Sequence, residues 1–152
     1  MGPEKRARIL LADDHADALA QAARVLGRHW DIAGTVSNGV ELVAAAGRLD
    51  PDVIVLDIAM PRMTGLQAAR EISRTHPHVR ILILSMYDNE QYFFEALKAG
   101  ASGYVLKSVA DQDLVVACHA AVRGESFLYP GVVSALARSY LDRIRRGEAP
   151  VA

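Results

Sequence analysis

The sequence is poor in cysteine and lacks long apolar runs, and each shortage excludes a class of protein. The single cysteine, Cys118, cannot form a disulfide within the chain, and its apolar neighbours predict a buried thiol in a reducing compartment. No apolar run approaches the ~20 residues of a membrane span. The first residues also lack the apolar stretch of a signal peptide. We therefore expect a cytoplasmic protein without a membrane partner.

An excess of charge of either sign is also missing, because 17 Lys and Arg residues nearly balance 18 Asp and Glu residues. The net charge of −1 predicts no strong non-specific attraction to nucleic acid or to an anionic membrane. A hydrophobic fraction of 51% argues against disorder, and 152 residues are the length of one domain with a single sizeable core.

What the sequence does contain is an alternation of short apolar runs and helical stretches, repeated five times. The predicted strands are residues 8–12, 31–37, 53–57, 80–85 and 103–107. The predicted helices are residues 15–29, 41–46, 64–75, 89–98 and 111–123. Fully apolar strands between helices are typical of a parallel sheet that is buried on both faces. The pattern predicts a flavodoxin-like doubly wound α/β fold, with five strands in the order 2-1-3-4-5 and helices on both faces.

The segment after Gly124 is predicted to lie outside this sheet. Residues 7–124 form the predicted domain, and residues 125–152 form a C-terminal helix that acts as a linker, reaching the breaker Pro150. The helix is amphipathic from Pro130, with apolar residues at helical spacing: Val132, Val133, Leu136, Tyr140, Leu141 and Ile144.

Polar side chains stand where four of the predicted strands end. Asp13 and Asp14 follow the first strand, and Asp57, Ser85 and Lys107 end the third, fourth and fifth. Ligands bind at this edge of open α/β sheets, and the first and third strands are neighbours in the predicted order. Three converging carboxylates need a cation among them. A shallow site of few oxygen ligands favours Mg²⁺, or Mn²⁺ in its place.

This set of groups around one carboxylate predicts phosphoryl transfer. Asp57 attacks a phosphoryl group and forms an acyl phosphate. The metal ion and Lys107 offset charge on the transferred oxygens, and Ser85 donates a hydrogen bond to one of them. No P-loop sequence is present, so nucleotide binding is not indicated.

The spacing of Asp13-Asp14, Asp57, Ser85 and Lys107 resembles the receiver domain of bacterial two-component response regulators. The resemblance implies phosphotransfer from a phosphohistidine on a sensor histidine kinase, a metal ion held by the acidic residues, and slow self-dephosphorylation. A signalling domain rather than an enzyme is therefore expected.

Two further roles are implied by the resemblance. Ala59 stands where the family supplies a metal-binding backbone carbonyl, and Tyr104 matches the aromatic that swings inward when the Ser85 position moves toward the phosphoryl group. Ser108 departs from the family, because many receivers have a cis proline there, and we expect a trans bond.

Residues 57–61, 99–104 and 123–130 resemble the NarL/FixJ subfamily more closely. Its members usually carry a LuxR-type helix-turn-helix after a linker. The sequence stops at Ala152. We therefore expect either a transcription regulator that binds DNA through a domain absent from this sequence, or a receiver that stands alone. The family's mode of switching implies a phosphorylation-dependent homodimer.

Simpler explanations remain open for single residues. Asp14 is a favoured type of N-cap for the helix predicted at His15, and His15 itself receives no ligand role. Asp57 alone could be a solvated carboxylate, and Tyr104 alone could be half-buried packing.

Two other functions compete with the phosphorylation switch. A phosphatase of the haloacid-dehalogenase kind needs a second Asp two positions after the nucleophile, where this sequence has Ala59. An interaction module that keeps the acidic pocket without being phosphorylated is the second alternative. A change of association state on treatment with a small phosphodonor separates it from the switch.

Overall fold

Residues 6–148 are described by the computed structural model, and their centre is a parallel sheet of six strands. The strands are β1 (Arg8–Ala12), β2 (Asp31–Val36), β3 (Val53–Asp57), β4 (Arg80–Ser85), β5 (Gly103–Leu106) and β6 (Phe127–Leu128). Their order is β2-β1-β3-β4-β5-β6, which confirms the predicted doubly wound order and adds one strand at the edge. The predictions for the first residues and for Pro150 lie outside the described residues.

Six helices connect and cover the strands. They are α1 (Ala16–Leu26), α2 (Gly39–Leu49), α3 (Gly65–Thr75), α4 (Glu90–Lys98), α5 (Ala110–Val122) and α6 (Pro130–Arg145). The second helix is longer than predicted, because Gly47 is accommodated within it and the helix ends only where Asp50 adopts a left-handed conformation with φ of 46°. Gly and Pro signals therefore located the helices correctly but not every end.

The core lies on both faces of the sheet, as the continuous apolar strands predict. Every residue of β3 is buried. One face packs against α2, α3, α4 and the start of α6, and the other packs against α1 and α5. Cys118 is a free, fully buried thiol on α5, as predicted, and burial raises its pKa to about 12. Each large side chain buried in this way stabilises the fold by about 1.5–3 kcal/mol.

The segment after Gly124 differs from its prediction. β6 pairs in parallel with β5, with Gly103 opposite Phe127, so this part of the chain belongs to the sheet. Val132 and Ala135 of α6 are buried in the same core cluster as Phe93 of α4. A two-residue strand gives almost no periodic signal, which is why the sequence pattern indicated five strands.

None of the helices between residues 6 and 148 combines the length and the apolar character needed to cross a bilayer.

Candidate functional site

The carboxyl ends of β1, β3, β4 and β5 bring the predicted polar residues to one edge of the sheet. Asp13 directly follows β1, Asp57 and Ser85 are the last residues of β3 and β4, and Lys107 opens a 3₁₀ turn after β5. Asp13, Asp57 and Ser85 are buried, which is rare for such side chains and requires that their polar atoms have partners.

Lys107 lies between two carboxylates. Its Nζ is 3.1 Å from Oδ2 of Asp13 and 3.1 Å from Oδ2 of Asp57. Burial alone lowers the pKa of Lys107, but the two carboxylates outweigh it and raise the pKa above its usual value. One ammonium group therefore neutralises only part of the negative charge of two nearly buried carboxylates. The pocket can accept a further positive charge.

The two carboxylates respond differently to this environment. Burial raises the pKa of Asp57 above its usual value, and the contact with Lys107 offsets only part of that effect. Burial also acts to raise the pKa of Asp13, but the backbone N–H of His15 and the Lys107 ammonium lower it below its usual value. Asp57 is therefore the carboxylate whose charge is less well compensated.

The loop after β3 fixes Asp57 from the other side. The N–H of Ala59 donates to Oδ1 of Asp57 over 3.3 Å, and Gly65 at the start of α3 donates to the carbonyl of Ile58 over 2.8 Å. A Cβ at Gly65 would lie 2.2 Å from the carbonyl oxygen of Asp57, so only glycine allows α3 to start this close. Thr64 caps α3 in a capping box with Gln67.

Ser85 and Tyr104 both bind the backbone of Tyr87, in the loop between β4 and α4. Ser85 Oγ accepts the N–H of Tyr87 over 3.0 Å, and the Tyr104 hydroxyl donates to the carbonyl of Tyr87 over 2.7 Å. Tyr104 is fully buried rather than half-buried, and burial raises its pKa to about 12. The sequence did not indicate that one loop residue connects these two side chains.

Tyr104 also belongs to an aromatic cluster that reaches the C-terminal segment. Its ring centroid is 5.1 Å from that of Phe93 and 6.1 Å from that of Tyr129. The Tyr129 hydroxyl is buried and has no hydrogen-bond partner among residues 6–148. Tyr87 stacks on Tyr92 of α4, with ring centroids 4.2 Å apart.

The acidic residues form a cluster that suits a hard cation. Asp13, Asp14, His15 and Asp57 each offer one ligand atom, and these four atoms lie within 4.8 Å of one another. Carboxylate oxygens are the ligands that Mg²⁺ and Mn²⁺ prefer, so the donor set fits the predicted ion. Whether the Ala59 carbonyl also contributes stays a prediction.

His15 is the member of the cluster to which the sequence assigned no role. It occupies the N-cap position of α1 but makes no side-chain capping bond, so the alternative in which Asp14 caps a helix starting at His15 is wrong. The peptide bond between Lys107 and Ser108 is trans, as expected.

Residues 9–119 match the family model described as the response regulator receiver domain. The chain is 38% identical over 121 residues to the uncharacterized transcriptional regulatory protein YxjL of Bacillus subtilis, an alignment that covers 78% of this chain and 56% of YxjL. The chain thus spans little more than half the length of that curated relative.

Two solved structures resemble the fold closely. A LuxR-family two-component response regulator from Aurantimonas sp. SI85-9A1 superposes with a TM-score of 0.83 at 29% identity, covering 90% of this chain and 99% of that one. A structure of two RcsB dimers bound to two parallel DNAs superposes with a TM-score of 0.78 at 26% identity, covering 86% of this chain and 66% of the RcsB chain.

Proposed function

Because this chain belongs to the response regulator receiver domain family, in its LuxR-type branch, we propose that Asp57 is the phosphoacceptor and that a sensor histidine kinase is the donor. Phosphorylation by histidine kinases is general behaviour of this family. The observation that carries the assignment is the nearly buried Asp57 carboxylate at the end of β3, 3.1 Å from Lys107 and beside Asp13.

In the proposed reaction, a carboxylate oxygen of Asp57 forms a bond to phosphorus while the phosphorus–nitrogen bond of the donor's phosphohistidine breaks. The electron pair of that bond leaves with the imidazole, which takes up a proton. Lys107 contacts the Asp57 carboxylate on one side, and the N–H of Ala59 donates to it on the other. These two contacts orient the carboxylate before the donor arrives. Lys107 then offsets charge on the transferred oxygens.

Receiver domains generally bind Mg²⁺ at an acidic pocket, and Asp13, Asp14, Asp57 and the Ala59 carbonyl are the groups we propose for it, with Mn²⁺ as a substitute. When bound, the ion supplies positive charge against the phosphoryl oxygens. Because the carboxylates already bring more negative charge than Lys107 offsets, they favour a divalent cation before the phosphoryl group enters.

The switch that we propose runs through Ser85 and Tyr104. The Ser85 oxygen accepts the N–H of Tyr87, and the hydrogen of the same hydroxyl is the one that we propose donates to a phosphoryl oxygen. A shift of Ser85 toward that oxygen changes the position of Tyr87, and Tyr104 is bonded to the same residue. The surface of α4, β5 and α5 changes with it.

The proposed output is a phosphorylation-dependent homodimer that controls transcription in the cytoplasm. The RcsB structure shows dimers on DNA for that protein, which supports the comparison. DNA binding is proposed to reside in a LuxR-type helix-turn-helix domain and not in residues 7–124. The alternative, a receiver that acts alone as an interaction module, does not need phosphorylation.

Intact-protein mass after incubation with acetyl phosphate tests the proposal. We expect a single phosphoryl adduct that requires Mg²⁺ and is absent from Asp57→Asn. Asp142→Asn is the matched control, because it removes an exposed carboxylate on α6, and it should keep the adduct. A folded wild-type protein that forms no adduct and releases no phosphate from the donor refutes the phosphoacceptor assignment and favours the phosphorylation-independent module.

A further inference from the structure

The acidic pocket contains one group that an all-oxygen magnesium site does not have, the imidazole of His15. Its Nδ1 lies 3.1 Å from Oδ1 of Asp13, 3.2 Å from Oδ1 of Asp14 and 4.0 Å from Oδ2 of Asp57. The nitrogen therefore stands among the same oxygens that are proposed to hold the metal ion.

These separations are hydrogen-bonding distances between Nδ1 and the two carboxylates, and they also equal the spacing of ligands around a small dication. Two adjacent ligands of an octahedral ion with bonds of about 2.1 Å are about 3.0 Å apart, and tetrahedral bonds of about 2.0 Å give about 3.3 Å. Nδ1 of His15 and the two Oδ1 atoms of Asp13 and Asp14 have separations in this range. A first-row metal ion that takes the place of the hydrogen between Nδ1 and these oxygens would therefore have ligand atoms at suitable separations.

Local structure fixes the backbone of His15 beside Asp13. Its backbone N–H donates to Oδ1 of Asp13 over 2.9 Å, which fixes the chain at the start of α1. The side chain does not cap the helix and is 63% exposed. Lys107 contacts the Oδ2 atoms of Asp13 and Asp57, so the Oδ1 side of Asp13 remains for a metal ion and for His15.

We infer that His15 is a nitrogen ligand that makes this pocket select a first-row transition-metal dication over Mg²⁺. Imidazole binds Ni²⁺, Cu²⁺ and Zn²⁺ well, whereas Mg²⁺ is held by oxygen and keeps several waters, so a nitrogen ligand adds affinity for the transition metals only. Coordination uses the lone pair of Nδ1, and the imidazole proton then resides on Nε2. The inference rests on the acidic pocket of the proposed function and specifies which ion that pocket favours.

Calorimetric titration of the chain without a polyhistidine tag tests the inference with two probes, Ni²⁺ and Mg²⁺. We expect wild type to bind Ni²⁺ more tightly than Mg²⁺. His15→Ala should weaken Ni²⁺ binding by about tenfold or more and leave Mg²⁺ binding within about twofold. Asp13→Asn should weaken both ions. His29→Ala is the matched control, because it removes an exposed imidazole of the His29–His119 pair, whose ring centroids are 5.7 Å apart, and should change neither affinity for this pocket.

Two results overturn the inference. One is that His15→Ala leaves Ni²⁺ binding unchanged, and the other is that it weakens Ni²⁺ and Mg²⁺ by the same factor, which is the effect of a lost charge or shape rather than of a lost nitrogen ligand. The mass assay with Mg²⁺ separates this failure from failure of the phosphoacceptor proposal. If His15→Ala still forms the adduct and its Ni²⁺ binding is unchanged, the ligand role is refuted and the phosphoacceptor proposal stands. If His15→Ala selectively loses Ni²⁺ binding but the wild-type chain forms no adduct, the ligand role stands and the phosphoacceptor proposal fails.

Discussion

At the scale of single residues, Asp57 carries a charge that its surroundings compensate incompletely. Burial raises its pKa above the usual value of 3.8 despite the nearby Lys107. A raised pKa in the folded state means that ionised Asp57 lowers the free energy of unfolding. This cost is absent below pH 3.8, grows as the pH rises through the raised folded pKa, and is fully present above it.

Asp57→Asn should therefore stabilise the protein at pH 7. We expect a gain on the order of 1 kcal/mol in the free energy of unfolding, without metal, since the neutral amide replaces a buried charge. The gain should shrink as the pH is lowered through the raised pKa of folded Asp57 and should be absent below pH 3.8, because wild-type Asp57 is then protonated. Urea denaturation at several pH values measures both effects. Asp142→Asn should stay within about 0.5 kcal/mol of wild type, and equal stability of Asp57→Asn and wild type at pH 7 would contradict the argument.

Two tyrosines with covered hydroxyl groups, the buried Tyr104 and the half-buried Tyr129, should respond in opposite ways to loss of those hydroxyl groups. Tyr129 has a buried hydroxyl without a partner among residues 6–148, so Tyr129→Phe should raise the free energy of unfolding by about 1 kcal/mol. Tyr104 donates to the carbonyl of Tyr87, so Tyr104→Phe should lower it by about 1 kcal/mol. The two variants remove the same atom from neighbouring rings and control for each other. Chemical denaturation of both is the measurement, and a loss of stability in Tyr129→Phe would mean that its hydroxyl has a partner after all.

The sequence indicated the residues of the pocket because each follows a strongly apolar strand, and parallel strands end at one edge. It could not indicate the part played by Tyr87, because that residue acts through its backbone. It also left His15 without a ligand role, since its place after the acidic pair equally fits a residue that supports the ligands or one that is simply exposed. Side-chain identity therefore predicted which groups meet, whereas backbone contacts and exact separations had to come from the structure.

At the scale of elements, the approach of α3 to the end of β3 depends on one glycine. A Cβ at Gly65 would lie 2.2 Å from the carbonyl oxygen of Asp57 and 2.9 Å from Cα of Ile58. Both are backbone atoms, so the helix or the strand end must shift. The orientation of the Asp57 carboxylate depends on this same loop through the N–H of Ala59.

Gly65→Ala should lower the free energy of unfolding by about 2 kcal/mol or more and should also slow phosphorylation by acetyl phosphate. Gly47→Ala is the control within the same fold. Gly47 lies inside α2, and a Cβ there meets only the ring of His76 at 3.8 Å, an ordinary contact. Gly47→Ala should raise stability by about 0.5–1 kcal/mol and leave the phosphorylation rate unchanged. Thermal denaturation and adduct formation, measured on both variants, check this, and equal effects of the two substitutions would disprove the close-approach argument.

Strands with strong apolar runs were predicted to the residue, as β1, β3 and β4 show, because burial on both faces leaves a continuous apolar signal. Helix ends were predicted less well. Gly47 is a helix breaker by propensity, yet α2 continues past it, since tertiary packing outweighs a cost of about 1 kcal/mol. β6 was missed because its two residues form a strand only through their pairing with β5.

At the scale of the whole molecule, the C-terminal segment completes the core on the α4 side of the sheet. Val132 and Ala135 are fully covered, and Tyr129 packs against Phe93 with ring centroids 5.3 Å apart. The second half of α6 is different, because residues 140–148 are all exposed. The boundary between a domain at 7–124 and a linker at 125–152 is therefore a prediction that stability measurements can decide.

A chain ended after Ser126 should remain folded, because β1 to β5 and their helices are retained, but it should be less stable by about 2 kcal/mol or more. Loss of Tyr129 and Val132 uncovers Phe93 and Tyr104, so binding of a hydrophobic dye should increase. A chain ended after Ser139 is the matched control, and it keeps every buried residue of α6 and should stay within about 1 kcal/mol of the full chain. If both truncated chains unfold at the same denaturant concentration as the full chain, residues 127–136 do not stabilise the core. The segment would then be a linker, as the sequence predicts, and the packing of α6 against α4 would not contribute to stability.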